Sequence, residues 1–310
     1  MERSVVTETA PEDRPAFIDS VAGGITLRLS ATFLFAAMSL AVRLAALEVP
    51  IGQIMFWRSA VALGPILIYL WWRGELPNGL KTARILGHSK RSALGAAAMF
   101  FSFLSLANLP LALATALSFL APLITLPAAV AFLRERPDRL VLWGTASGFL
   151  GVIIMLIPTL VRPGAAAGVL IGVGAGVLCA VATAFAKIEI KKLTATETPA
   201  AIAFYFAVVS ALGGLMSLPW GWADTSAEGL MALVTSGLLG GLAHIAMTEA
   251  IARAPASTMA PFEYTSMIWA LFFDLVVFAT VPNVFGITGA LAIVAGAAVA
   301  GLHRSTVPSR

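Results

Sequence analysis

Apolar runs bounded by charge, proline or glycine recur along the whole chain, each long enough for a helix rather than a strand. Ten stand out: 24–46, 51–72, 92–109, 111–133, 140–158, 166–187, 199–219, 229–252, 256–280 and 284–302. A helix rising ~1.5 Å per residue needs ~20 apolar residues to cross a ~30 Å hydrocarbon core. The pattern therefore predicts ten transmembrane helices. The connections between spans three and four and between eight and nine are very short, which predicts tight helical hairpins.

Composition narrows the class. Of 310 residues, 59% are hydrophobic and only 12% charged, with a mean hydropathy of +0.92. A soluble domain is about a quarter charged. A water-soluble globule and a disordered chain are both excluded, and an all-α polytopic membrane protein remains. Cys179 is the only cysteine, so no internal disulfide is possible, and it is expected to pack among apolar neighbours. Met1 to Ser20 lacks the basic-then-apolar layout of a signal peptide and is expected to be retained.

Charge placement sets the expected orientation. With ten spans, one side carries Arg3, Arg14, Arg73, Lys81, Arg84, Lys90, Arg91, Arg134, Arg136, Arg139, Lys187, Lys191, Lys192, Arg253, Arg304 and Arg310. The other side carries only Arg162, and Arg28, Arg43 and Arg58 fall inside spans. Basic loops stay cytoplasmic, so both termini are expected inside an inner (plasma) membrane. Trp71, Trp72 and Trp143 fall at inner ends and Trp220 and Trp222 at an outer end, as amphipathic rings prefer.

The two halves match at an offset of 145. Gly23 pairs with Gly168, Gly95 with Gly240, Pro110 with Pro255, Pro137 with Pro282, Gly144 with Gly289 and Gly151 with Gly296. Five spans per repeat is an odd number, so the second repeat must be inverted. Two inverted repeats around a central site are a mark of secondary transporters and of alternating access. Pro122 and Pro127 should kink span four. Glycines of spans six and eight allow close helix approach.

At these positions the chain resembles the drug/metabolite transporter superfamily, in its ten-helix EamA-type branch. Phe56-Trp57-Arg58, Glu135-Arg136-Pro137, Gly144, Gly151, Ala256-Ser257 and Pro261-Phe262-Glu263-Tyr264-Thr265-Ser266 carry the resemblance, which covers about residues 25–302. The family often has an acidic residue after span nine, where Ala279, Thr280, Val281 and Pro282 stand instead. The expected organisation is a cytoplasmic tail (1–23), a first repeat (24–158), an extracytoplasmic linker (159–165), a second repeat (166–302) and a cytoplasmic tail (303–310). The resemblance implies export or uptake of small metabolites.

Ionisable residues inside spans are costly and mark candidate sites. Glu263 and Arg58 are expected to meet an ammonium and a carboxylate of a substrate, with His244 as a polar wall group. Tyr264, Trp269, Phe100, Phe101, Phe119 and Met267 would supply apolar or stacking contacts. The alternative for Glu263, His244 and Arg58 is a packing role. Asp274 is expected to pair with Arg43, and these two, with Pro110, Pro122 and Pro255, are assigned structural or gating roles. Arg28 is expected to snorkel to the inner surface. At the 145 offset these charges meet Met99, Ser118, Ala129 and Ala203, so they break the repeat as a specific site requires.

No His-Glu-x-x-His set, cysteine cluster or phosphate loop occurs in the sequence, which argues against an enzyme or an ATP-driven pump. An ion channel is a remote alternative. No cofactor and no nucleic-acid partner are expected. The expected partners are a small-molecule substrate and the lipid bilayer, with the protein a monomer or homodimer. Export of amino acids, especially large neutral or aromatic ones, is the leading reading. Uptake of S-adenosylmethionine or a flavin is the alternative.

Overall fold

The computed structural model describes residues 21–82, 84–121, 123–125, 139–161, 167–193, 196–253 and 260–304. Among them stand ten α-helices: α1 (Val21–Ala45), α2 (Ile51–Trp72), α3 (Ile85–Asn108), α4 (Leu111–Ser118), α5 (Arg139–Leu160), α6 (Ala167–Leu193), α7 (Pro199–Leu215), α8 (Ala227–Arg253), α9 (Thr265–Phe278) and α10 (Val284–Arg304). Short 3-10 segments occur at Asn78–Leu80, Leu218–Trp220 and Ala260–Tyr264, and there is no strand among the described residues. Each helix corresponds to one apolar run. Pro122, Pro127 and Pro255, the expected tail 1–20, and most of the linker after α5 lie outside the described residues.

Two helices differ from their apolar runs. Helix α3 starts at Ile85, well before residue 92, because α7 and the loop ahead of it cover its charged first turns. His88, expected in a loop, is buried in α3 beside the Glu197 carboxylate (3.1 Å) and the Tyr205 ring (4.6 Å between centroids). Span four is interrupted. Helix α4 ends at Ser118, and Phe119 and Leu120 close on Ala116 and Leu117 by i→i−3 bonds before helix resumes.

The helices pack as two copies of one five-helix unit. Contact of α1 with α8 is mirrored by α6 with α3, α2 with α8 by α7 with α3, and α1 with α9 by α6 with α4. Helices α2 and α7, α4 and α9, and α5 and α10 meet their own equivalents. Along α5 and α10, Gly144 faces Gly296 and Gly151 faces Gly289, so these equivalent helices run antiparallel and the repeats are inverted. Two contacts join residues 145 apart and so lie on the pseudo-two-fold axis. The Ser147 hydroxyl donates to the Ala292 carbonyl at 3.2 Å, and Phe119 stacks on Tyr264 at 5.2 Å and 29°.

Large apolar side chains cover the outside, among them Ile68, Leu150, Leu178 and Leu291, which lipid would solvate. Exposed Trp71, Trp72 and Trp143 mark one end, the basic end, and Trp220 marks the far end.

The α5–α10 contact leaves no room for a side chain. A Cβ on Gly151 would sit 2.5 Å from the Gly289 carbonyl oxygen, whereas one on Gly148 meets nothing within 4 Å. Gly151→Ala is expected to destabilise the purified protein by about 1–3 kcal/mol, since backbone cannot move aside. Gly148→Ala should be neutral or stabilising. Thermal unfolding in one detergent compares the two.

Candidate functional site

At the far end the interior is tied by one carboxylate. Helix α4 begins after Pro110, which offers no side-chain cap to the free N–H groups that follow. Asp274, from the facing α9, takes that role. It is 3% exposed and accepts from the Leu111 N–H (2.9 Å), the Ala112 N–H (2.7 Å) and Arg43 Nη1 (2.7 Å). The Arg43 guanidinium also lies 3.9 Å from the Phe278 ring centre. The far-end loops add two further ties. Gln53 exchanges two hydrogen bonds with the Ala223 backbone, each 3.1 Å. Glu48 accepts from the Ser226 N–H (3.0 Å) and hydroxyl (2.9 Å) at the start of α8.

Deeper inside, Glu263, expected to meet a substrate ammonium, pairs with Arg28. Arg28 is 5% exposed, so it does not snorkel, while the Glu263 side chain is half exposed. Thr32 and Thr265 join the same helices by a 2.7 Å hydroxyl contact. Arg58 is buried on α2 and donates through Nη2 to His244 Nε2 of α8 at 3.2 Å, which puts the imidazole proton on Nδ1. Phe35 of α1 stands edge-on to the His244 ring at 5.2 Å.

Two cavities flank that ring pair. One, of about 170 Å³, lies between α1, α3, α4 and the start of α9, and carries the hydroxyls of Ser39, Ser102, Thr115, Ser118 and Ser266 beside Phe35. The hydroxyls of Ser39, Ser118 and Ser266 donate back to the carbonyls of Phe35, Thr115 and Glu263. What these three leave free are lone pairs, acceptors suited to a donor such as an ammonium. The other, of about 190 Å³, lies between α2, α3, α6, α7 and α8, and its polar groups are Arg58, Arg91, His244 and Thr248.

Of the expected binding residues only Arg58 and His244 line one of these cavities; Glu263 and the others line neither. Phe119 and Tyr264 form the axial stack at the break of α4, and Phe101 packs edge-on to Phe100. Trp269 stands edge-on to Phe33 with its indole N–H buried and unpartnered. Met267 is 1% exposed, within the core, and lines neither cavity. At the basic end Glu249 joins Arg253, Tyr69 and Arg73 (3.1 Å). Arg91 and the hydroxyl set do not stand out in the sequence. Arg91 falls among the expected loop charges, although it lies one turn before Gly95, a member of the repeat pairs.

Ten helices in two inverted five-helix units, with polar groups enclosed between them, define a membrane transporter of the secondary type. The chain belongs to the EamA-like transporter family, whose profile matches twice, at residues 22–157 and 167–302. It is similar to the pseudopaline exporter CntI of Pseudomonas aeruginosa (strain UCBPP-PA14), 27% identical over 89% of this chain and 95% of that one. It is also similar to the S-adenosylmethionine uptake transporter of Rickettsia conorii (strain ATCC VR-613 / Malish 7), 29% identical over 82% of each. A solved structure superposes with a TM-score of 0.68 at 20% identity, covering 92% of this chain and 99% of that one, which shows the fold. The protein is a multi-pass membrane transporter of small molecules and not an enzyme.

Two outcomes test the far-end ties. Asp274→Ala leaves Arg43 and two N–H groups without their carboxylate, and should lower stability by about 3–5 kcal/mol. Asp274→Asn should fall between that variant and wild type in thermal unfolding. The Ser226 N–H, then its hydroxyl, hold the Glu48 carboxyl below its ordinary pKa of 4.5. A depressed carboxylate contributes stability above its unfolded pKa, and that contribution is lost as pH falls through the folded value. The unfolding-temperature difference between wild type and Glu48→Gln should be full at pH 7 and vanish in acid below the folded pKa.

Proposed function

We propose that the protein exports amino acids, large neutral or aromatic ones above all, across the inner membrane by alternating access, with both termini cytoplasmic. One observation carries this reading. A cavity of hydrogen-bond acceptors, with Phe35 in its wall, is divided by the Phe35–His244 pair from a cavity holding two guanidinium groups. A zwitterion with an apolar side chain needs acceptors for its ammonium, donors for its carboxylate and an apolar wall. Glu263, Tyr264, Phe101, Phe119 and Trp269 extend the acceptor cavity as binding residues, and Arg58 and His244 serve the carboxylate side. Asp274, Arg43 and Pro110 act in closing the far end, where the carboxylate fastens α9 to α4. The cytoplasmic termini are supported by the basic connections at one end, and export by a relative named as an exporter.

Uptake of S-adenosylmethionine is the second reading. It is favoured by relatives with that name and by the acceptor cavity, which suits a sulfonium as well as an ammonium.

Counterflow in proteoliposomes separates the two. Labelled phenylalanine, S-adenosylmethionine and riboflavin are offered to wild type and to Glu263→Gln. Phenylalanine counterflow that falls at least about tenfold in the variant, as expected for loss of a charged hydrogen bond, supports amino-acid transport. Counterflow of S-adenosylmethionine alone replaces the first reading by the second. Equal rates in the variant remove Glu263 from the binding residues.

A further inference from the structure

We propose that the cavity between α2, α3, α7 and α8 is a carboxylate site, in which Arg58 and Arg91 clasp the acid group of an organic anion. That the acid belongs to the transported solute rests on the transport reading above.

The charges require an anion. Arg58 is 4% exposed, its Nε has no partner, and Nη2 meets only the neutral acceptor of His244. Arg91 carries two buried nitrogens, Nε and Nη1, without a partner. Among the described residues, those lining the cavity include no carboxylate. An uncompensated buried cation is strongly destabilising, and the hydrocarbon core around the protein offers nothing to offset it. The groups are also presented for binding. Arg91 lies over the Phe206 ring, 4.2 Å from its centre. Its Nε and Nη1 point from different edges of the guanidinium, and each can donate one charge-assisted hydrogen bond to an oxygen of an acid group.

The scaffold reserves this space. A Cβ on Gly240 would lie 3.1 Å from Arg58 Nε, and one on Gly95 would lie 3.1 Å from Arg91 Nη1 and 2.8 Å from the Phe206 ring. Gly95 and Gly240 are equivalents in the two repeats, so the same glycine seats an arginine in each half. The arginines themselves come from consecutive helices of the first repeat, α2 and α3, and line one cavity. A volume of about 190 Å³ is below the ~300–1,000 Å³ of a whole-ligand pocket. The cavity therefore takes an acid group with a few carbons, and the rest of a larger solute must reach past the Phe35–His244 wall.

The test uses the whole protein in phosphatidylcholine nanodiscs and reads its unfolding temperature at constant ionic strength. Phenylacetate is expected to raise it, and phenethylammonium, with the same ring and opposite charge, is not. Arg91→Gln should weaken the phenylacetate effect about 10- to 100-fold, as loss of a charged hydrogen bond implies, and Arg91→Lys should keep part of it. Gly95→Ala, which crowds Arg91 and keeps its charge, serves as the second variant if Arg91→Gln does not fold. An unchanged phenylacetate response in folded Arg91→Gln or Gly95→Ala overturns the assignment. So does stabilisation by phosphatidylglycerol but by no carboxylate, which makes the occupant a lipid headgroup. A phenylacetate response in a protein that moves no amino acid upholds the site and removes only the amino-acid reading.

Discussion

Every helix pair on the pseudo-two-fold axis must fit a copy of itself turned over. That constraint selects what stands there. Glycine against backbone carbonyl satisfies it, as Gly151 and Gly289 do along α5 and α10. A hydroxyl on a carbonyl satisfies it, as Ser147 does on Ala292, and so do two stacked rings, Phe119 and Tyr264. A charge would not, because it would face a like charge in a medium that screens little. The ionised groups accordingly lie off the axis and in only one half of each equivalent pair.

The second constraint is the scarcity of water inside a bilayer. Each buried polar group needs a partner from the protein or the solute. At the far end the protein supplies all of them, as Asp274 takes up two N–H groups and a guanidinium. Around the cavities it does not. Hydroxyl lone pairs remain free on one side of Phe35 and His244, and guanidinium nitrogens on the other. A transporter needs this division. Under the proposed function, the fully paired groups would hold the far end closed and the unpaired ones would meet the solute. The interruption at Phe119, on the axis and beside the acceptor cavity, places the deformable part of α4 between the two functions.

The residues that match at the 145 offset and those that break it differ in kind. Glycines matched at the 145 offset, such as Gly151 and Gly289, build the helix contacts of the scaffold. The residues that break the offset distinguish this chain. Ala203, the equivalent of Arg58, lines the same cavity and contributes only space to it.

Ten spans and the inverted repeat were legible in the chain itself, because hydrocarbon thickness fixes span length and odd-numbered repeats must invert. The pairing of Asp274 with Arg43 was legible too, since both were expected at one depth. The start of α3 was not. His88 and Arg91 look like loop residues until Glu197, Tyr205 and Phe206 are brought over them from a distant part of the chain. Arg28 looks free to reach the surface until Glu263 arrives beside it. Hydrophobic length is a local property, additive along the chain, and a sequence reports it directly. The partner of a buried charge is set by which helices cross and at what height, and only the packed tertiary structure decides that.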